Sequence, residues 1–222
     1  MMRFFDFLFP PRADERALRA VSDDDFLSLI MPRLMSETRP ATVTLLPFSD
    51  ARVRSTLHEA KYHGSERAFA LLGAALSDFL PDYIAETRFN LVARLNLVSV
   101  IVPVPLGKAR HKERGFNQAE EIARRAIRIL GEGGRISLES DLLERARETP
   151  TQVALPRAQR EKNMRGAFTA SLKLRSASRA ELANTLFIVL DDVVTTGATL
   201  QAACDALRAA GAIHILPIAL AH

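Results

Sequence analysis

The run Phe187–Leu200, FIVLDDVVTTGATL, constrains the fold of this chain more than any other segment. Leu186–Leu190 is apolar without interruption, the pattern of a strand buried on both faces of a parallel sheet. Two carboxylates, Asp191 and Asp192, stand at its C-terminal end. A Thr/Gly turn follows, and Thr199–Ala210 resumes at helical spacing before Gly211 stops it. A buried strand that hands over to a helix through a short turn is half of a strand–helix–strand unit. The chain is therefore expected to be α/β, with a doubly wound, mainly parallel sheet flanked by helices. In open sheets of that kind, ligands gather outside the carboxyl ends of the strands.

Other segments supply matching units. Leu97–Val104 is a second apolar, β-branched run, ending where Pro103 and Pro105 withhold ladder donors. Thr42–Leu46 reads as a short strand, and Asp50 as the cap of a helix that runs to His63 and ends at Gly64. A further helix opens at Ser65 and is expected to stop after Leu80, at Pro81. Phe116–Leu130 is helical by its spacing, with Asn117 as a candidate cap, and Ile213–Leu220 is a last strand weakened by Pro217. Ahead of these, Ser22 with Asp25 and Phe26 marks a helix start. Residues 1–41 thus read as an N-terminal helical cap and 42–222 as the main domain.

With 48% hydrophobic and 25% charged residues, the chain of 222 has ordinary globular usage. The opening MMRFFDFLFPPR is too short for a membrane span and has no cleavage pattern. Cys204 is the single cysteine, so no intramolecular disulfide can form, and none of the five histidines makes a ligand cluster with it. These features fit a cytoplasmic protein with no membrane partner; a homodimer stays open.

The turn after the acidic pair suits a phosphate. Val194, Thr195, Thr196, Gly197, Ala198 and Thr199 can present backbone N–H groups and hydroxyls at a helix N-terminus, where the dipole favours an anion. Asp191 and Asp192 only accept hydrogen bonds when ionised, which suits sugar hydroxyls better than a phosphate. Acidic pairs after strands also hold Mg²⁺, and a TTG turn can be a plain strand-to-helix connection. No GxxxxGK[ST] occurs in the chain, which disfavours that class of nucleotide site.

A net charge of +4 points to an anionic partner, and the positive charge is concentrated in Lys108–Arg114 and Arg145–Arg165. Both segments are expected to be loops around the phosphate site. Lys108, Arg110, Lys112 and Arg114 could surround a pyrophosphate, with Arg114 the leading candidate because Gly115 follows it. Arg147, Arg160 and Asn163 are candidates on a loop that closes over substrate. Nucleic acid is the rival explanation for the same charge.

The run VLDDVVTTGATL resembles the phosphoribosyl pyrophosphate (PRPP) signature of type I phosphoribosyltransferases. Val102–Gln118 resembles the PVPL…RGFNQ motif of the ComF family, phosphoribosyltransferase-like proteins associated with DNA uptake. Thr149, Gln152, Arg160, Asn163 and Gly166–Phe168 match that family's T..Q…R..N..GAF stretch, and Lys61-Tyr62 its lysine-aromatic pair. The likeness spans about residues 42–222. It implies that Asp191 and Asp192 bind the ribose hydroxyls, that Thr195–Thr199 hold the 5′-phosphate, and that Mg²⁺ bridges pyrophosphate and ribose oxygens. Many relatives begin with a cysteine-rich zinc module, whereas Phe9–Pro40 here contains neither cysteine nor histidine, so no zinc is expected there.

The resulting expectation is Mg²⁺-dependent transfer of phosphoribose to an unidentified acceptor, a nucleobase among the candidates, with Asp191, Asp192 and Arg114 as catalytic residues. The alternative is a PRPP-binding or single-stranded-DNA-binding protein without turnover, linked to DNA uptake. Strand binders interleave aromatics with basic residues. Here there is no Trp, there are two Tyr, and Phe116 alone stands near the basic segments in sequence, so no aromatic platform is evident.

Overall fold

The computed structural model describes residues 12–91, 97–131, 136–147, 159 and 163–222. A six-stranded sheet forms the centre, and it is mainly parallel as expected. In spatial order its strands are β1 (Arg33–Met35), β2 (Thr42–Leu46), β8 (His214–Ala221), β7 (Thr185–Val193), β3 (Val98–Pro103) and β4 (Ile136–Leu138). Only β1 runs antiparallel to its neighbour in this sheet. A separate antiparallel pair joins β5 (Leu143–Arg145) to β6 (Phe168–Ala170).

Successive side chains of β7 serve two cores. Leu186, Ile188 and Leu190 pack with helices α3 (Ala51–His63), α4 (Glu66–Leu91) and α6 (Gln118–Leu130). Phe187 and Val189 pack on the other face with α9 (Ala198–Ala209) and the β5–β6 pair. This is the alternation of a strand covered on both sides.

The helix boundaries around α3 follow the local chemistry. The Asp50 carboxylate accepts the N–H of Arg52 at 2.8 Å, and Gly64 closes the helix at φ +57°. Asn117 caps α6 by accepting the N–H of Ala119 at 3.1 Å. Ser22 caps α2 (Asp23–Leu27) through the N–H of Asp25.

Three expectations need correction. Pro81 does not end α4, which continues to Leu91. A proline in a helix interior costs about 3 kcal/mol, while burying an aliphatic side chain such as Leu80 or Ile84 returns ~1.5–3 kcal/mol each. Core packing therefore carries the helix through. The stretch Glu66–Glu86 is long and apolar enough to cross a bilayer, yet 61% of that window is buried in the protein itself.

Lys108–Arg114 is the helix α5 rather than a loop. Its Lys, Arg and Ala residues are good helix formers, Gly115 at φ +80° ends it, and His111, Lys112 and Arg114 lie in the last turn, where cations complement the dipole. Arg145 likewise ends a strand, not a loop.

The N-terminal segment is not wholly helical. After α1 (Ala13–Ala20) and α2 it contributes β1 to the sheet edge, and Leu18, Val21 and Phe26 enter the core beside α4. Two short helices, α7 (Leu172–Arg175) and α8 (Arg179–Ala183), complete the chain between β6 and β7. Pro217 sits inside β8, opposite Val189 of β7; pairing with β2 starts only at Ile218, so the missing N–H falls just before the strand becomes central.

Candidate functional site

The parity of β7 separates its two carboxylates. Asp192 shares the face of Leu190 and Ile188, towards α3 and α6, while Asp191 shares the face of Val189, towards α9. The Asp192 carboxylate is buried. Its Oδ2 receives Lys61 Nζ at 3.1 Å and Gln118 Nε2 at 3.1 Å, and its Oδ1 accepts the N–H of Val193 at 2.8 Å. Burial works against its charge, but the Lys61 ammonium and these hydrogen bonds outweigh that and hold the group below the usual carboxylate range. Asp191 has no such cation in contact among the described residues. Burial, and then the charge of Asp192, push it up to about 7. The pair thus carries one firm negative charge and one that titrates near neutrality.

The turn beyond them has the form expected of a phosphate loop. Val194 is fixed by its N–H to the carbonyl of Ala221 at 3.0 Å, and Gly197 takes φ +80° as the cap of α9. A Cβ at Gly197 would lie 2.9 Å from the Arg39 carbonyl oxygen and 3.0 Å from Thr38 Cβ. The position therefore demands glycine twice, for its dihedral and for the close approach of the N-terminal segment. A small notch of about 30 Å³ is enclosed by Asp191 and Val193–Leu200.

A larger cleft of about 330 Å³ adjoins it. Asp191, Asp192, Thr195 and Thr199 form one wall, and Lys61, Arg110, Asn117, Gln118 and Arg145 stand around it with Met164 and the Val104–Leu106 turn. Anionic and cationic groups thus converge at the carboxyl end of β7 and β3. Of the basic candidates, Arg110 lines the cleft. Lys108 and Lys112 lie on the same helix without lining it.

Arg114 is not on the cleft wall either. Its Nη1 donates to Gln118 Oε1 at 3.1 Å and its guanidinium stacks over Tyr62 at 5.2 Å from the ring centre, so it acts on Asp192 through Gln118. Arg147 donates to the carbonyls of Asn163 and Arg165, both at 2.8 Å, and thereby ties the two arms of the β5–β6 unit together. Arg160, Thr149 and Gln152 lie outside the described residues.

Each residue of the Arg114–Gln118 run has a physical task. Gly115 ends α5, and Phe116 turns into the core edge-on to Phe69 at 5.5 Å. Asn117 caps α6 while its Nδ2 donates to the Val104 carbonyl at 2.9 Å, pinning the turn after β3. Gln118 carries the contact to Asp192.

Gln118 and Arg145 line the cleft without standing out in the sequence, and Lys61 stands out there only as part of a family pair. Their common signal is weak, since each reaches the cleft from a separate element. Tyr62 and Phe48 are 55% and 38% exposed beside Lys61, and the Tyr62 ring lies under the Arg114 guanidinium and 4.8 Å from the His58 ring. The fold gathers His58, Glu59 and His63 with donor atoms within 4.8 Å of one another. Arg12 already holds Glu59 in two hydrogen bonds of 3.2 and 2.8 Å, so an ion pair occupies that carboxylate.

The chain is 31% identical over 133 residues to competence protein F of Haemophilus influenzae, a stretch covering 60% of this chain and 54% of that protein. It is 33% identical over 144 residues to the DNA utilization proteins YhgH of Salmonella typhimurium and Escherichia coli, covering 65% of this chain and 57% of theirs. The chain thus matches little more than half the length of these relatives. No family model matches it.

Proposed function

We propose, from the premise that this chain belongs to the ComF family, that its cleft binds PRPP and transfers the phosphoribosyl group to an acceptor with loss of pyrophosphate. The observation that carries this reading is the convergence of the acidic pair and the phosphate loop with Lys61, Arg110 and Arg145 in one cleft. By the names of its relatives, this chemistry serves competence or DNA utilization.

In this reading the N-terminal turn of α9 receives the 5′-phosphate and the carboxylates accept the ribose hydroxyls. Arg110 and Arg145 face the pyrophosphate, where a guanidinium offers paired donors to phosphate oxygens. Lys61 and Gln118 keep Asp192 ionised and oriented, so the ribose meets a preformed acceptor rather than one that must reorganise. Asp191 is the more open of the two and provides oxygens of the hardness that Mg²⁺ requires. A magnesium ion arriving with PRPP would neutralise charge on the leaving pyrophosphate.

Calorimetry with PRPP and Mg²⁺ tests the site. The double variant Asp191→Asn/Asp192→Asn is expected to weaken binding by about a hundredfold, near two charge-assisted hydrogen bonds. Equal affinity in both proteins overturns the assignment. Pyrophosphate release measured against a panel of acceptors then tests turnover, and release with none of them leaves a PRPP-binding protein.

A further inference from the structure

A separate cavity of about 570 Å³ lies against the start of α9 and shares no lining residue with the cleft. It meets the notch of the phosphate turn at Ala198. Its floor is one face of α9, where Ala198, Ala202, Ala206 and Ala209 recur at helical spacing and leave no long side chain to fill the space. Phe168 of β6 adds an aromatic wall.

Two arginines line the cavity from separate segments, Arg39 ahead of β2 and Arg165 ahead of β6. Neither side chain has a hydrogen-bond or ion-pair partner among the described residues. Asp205, the acid on the same wall, is already engaged, since its Oδ1 accepts Gln201 Nε2 at 2.7 Å and Arg208 Nη1 at 3.1 Å. The backbone under each arginine is fixed. The Thr38 hydroxyl lies 2.8 Å from the carbonyls of both Met35 and Pro40, and the Arg165 carbonyl accepts Arg147 Nη2 at 2.8 Å. The cavity therefore joins apolar surface to two positive charges that nothing in the described fold answers.

We infer that this cavity binds a phosphate monoester with an apolar body, Arg39 and Arg165 taking the phosphate while the alanine face and Phe168 take the body. A monoester carries about two negative charges on one head near neutral pH, which suits two guanidiniums with paired donors. The volume is that of a small-molecule site. Two contacts couple the cavity to the cleft. The Arg145 guanidinium of the cleft stands over the Phe168 ring, 5.3 Å from its centre, and the Arg39 carbonyl is the atom that a Cβ at Gly197 would meet. A dianion bound beside the first turn of α9 lowers the positive potential that the turn offers to a phosphate. Occupancy of the cavity therefore opposes binding in the cleft. That coupling rests on the phosphoribosyl reading, whereas the cavity's own ligand does not.

The chain contains no Trp, so Gln201→Trp places a unique fluorophore on the cavity wall, and Ala209→Trp supplies a second reporter at the exposed end of the same face. Titration of either full-length variant with phenyl phosphate, in the absence of PRPP, is expected to shift the emission saturably. Adding Arg39→Ala/Arg165→Ala should weaken that binding about a hundredfold, through two lost charge-assisted contacts. Inorganic phosphate, which lacks the ring, should bind about tenfold more weakly than phenyl phosphate. No saturable shift with either reporter, unchanged affinity without the two arginines, or equal affinity for the two anions overturns the assignment.

Calorimetry with PRPP and Mg²⁺ reads the coupling. Phenyl phosphate at a saturating level is expected to weaken PRPP binding about fivefold in the wild-type protein and to leave it unchanged in Arg39→Ala/Arg165→Ala. Equal weakening in both proteins is direct competition in the cleft and overturns the coupling, as does no weakening in the wild type. A wild-type protein that gives no heat with PRPP sinks the phosphoribosyl reading, while the fluorescence titration, free of PRPP, still decides the cavity.

Discussion

The turn after β7 presents its functional groups in one run, Asp191 to Thr199, whereas the wall facing it draws Lys61, Arg110, Gln118 and Arg145 from four different elements. The two regions meet at Asp191 and Asp192, and the difference between them appears in those two carboxylates. Asp191 belongs to the turn by parity, has no cation in contact among the described residues, and titrates near neutrality. Asp192 belongs to the assembled wall and is held ionised by Lys61 and Gln118. Identical side chains side by side thus acquire different chemistry because one is served by local structure and the other by docked helices. A local turn is broken by changing its own backbone, while an assembled wall is broken from a distance.

The largest effect is expected at the turn. Gly197→Val forces a β-branched residue to φ +80° and drives its Cβ into the Arg39 carbonyl. The dihedral alone costs about 1–2 kcal/mol, and the clash with backbone adds to it, for a total of about 3 kcal/mol. Thermal unfolding should show a fall of ~6–12 °C for a chain of this length, and PRPP binding should be lost. A variant that melts like wild type would show that the Thr38–Arg39 segment does not press on the turn.

Next comes the wall. Lys61→Met removes the cation from Asp192, and because Lys61 is 30% exposed the expected loss is about 1–2 kcal/mol, below that of a fully buried pair. The sign follows from the depressed folded-state value of Asp192. Its contribution is present above the ordinary carboxylate range and is lost as the pH falls through the folded value. The Lys61→Met penalty should therefore be full at neutral pH and vanish in acid, as denaturant titrations at several pH values would reveal.

Asp191 should behave in the opposite sense. Its folded-state value is raised to about 7, so the stability it contributes is full below about pH 4, its unfolded range, and is lost as the pH rises to about 7. Asp191→Asn removes this titration. The variant should gain on wild type as the pH rises between those limits, by at most about 1.4 kcal/mol for each pH unit, and the gain should level off above neutrality. A gain that shrinks with rising pH would place the raised group elsewhere.

The smallest effect tests the relay behind the wall. Arg114→Ala deletes one hydrogen bond to Gln118 and the stacking on Tyr62, for about 1 kcal/mol in stability. Arg114→Lys should recover part of it. A loss of PRPP affinity without loss of stability would instead make Arg114 a direct ligand of the pyrophosphate.

Much of this architecture was legible in the chain itself. The apolar run of β7, the Asp50 and Gly64 bounds of α3, the Asn117 cap and the order of strands and helices follow from patterns within a few residues, where capping, β-branching and glycine dihedrals act directly. The phosphate turn was legible for the same reason. Local rules failed where a stronger effect opposed them. Pro81 was outweighed by the burial of Leu80 and Ile84, and the charge of Lys108–Arg114 hid a helix whose residues have good propensity and a glycine stop. The short strands β1, β4, β5 and β6 carry too few residues for a pattern and exist through their partners.

By itself the sequence determined that a parallel sheet would place two carboxylates and a phosphate turn at one strand end, because strand period and turn chemistry are encoded by neighbours. Tertiary structure alone decided which carboxylate is ionised, that Arg114 stands behind Gln118 rather than in the cleft, and that Phe48, His58 and Tyr62 line a cavity against Asp192. Electrostatic and packing partners act through space, with Lys61 and Gln118 far from Asp192 along the chain, and no local pattern records a distance that only the docking of helices onto the sheet sets.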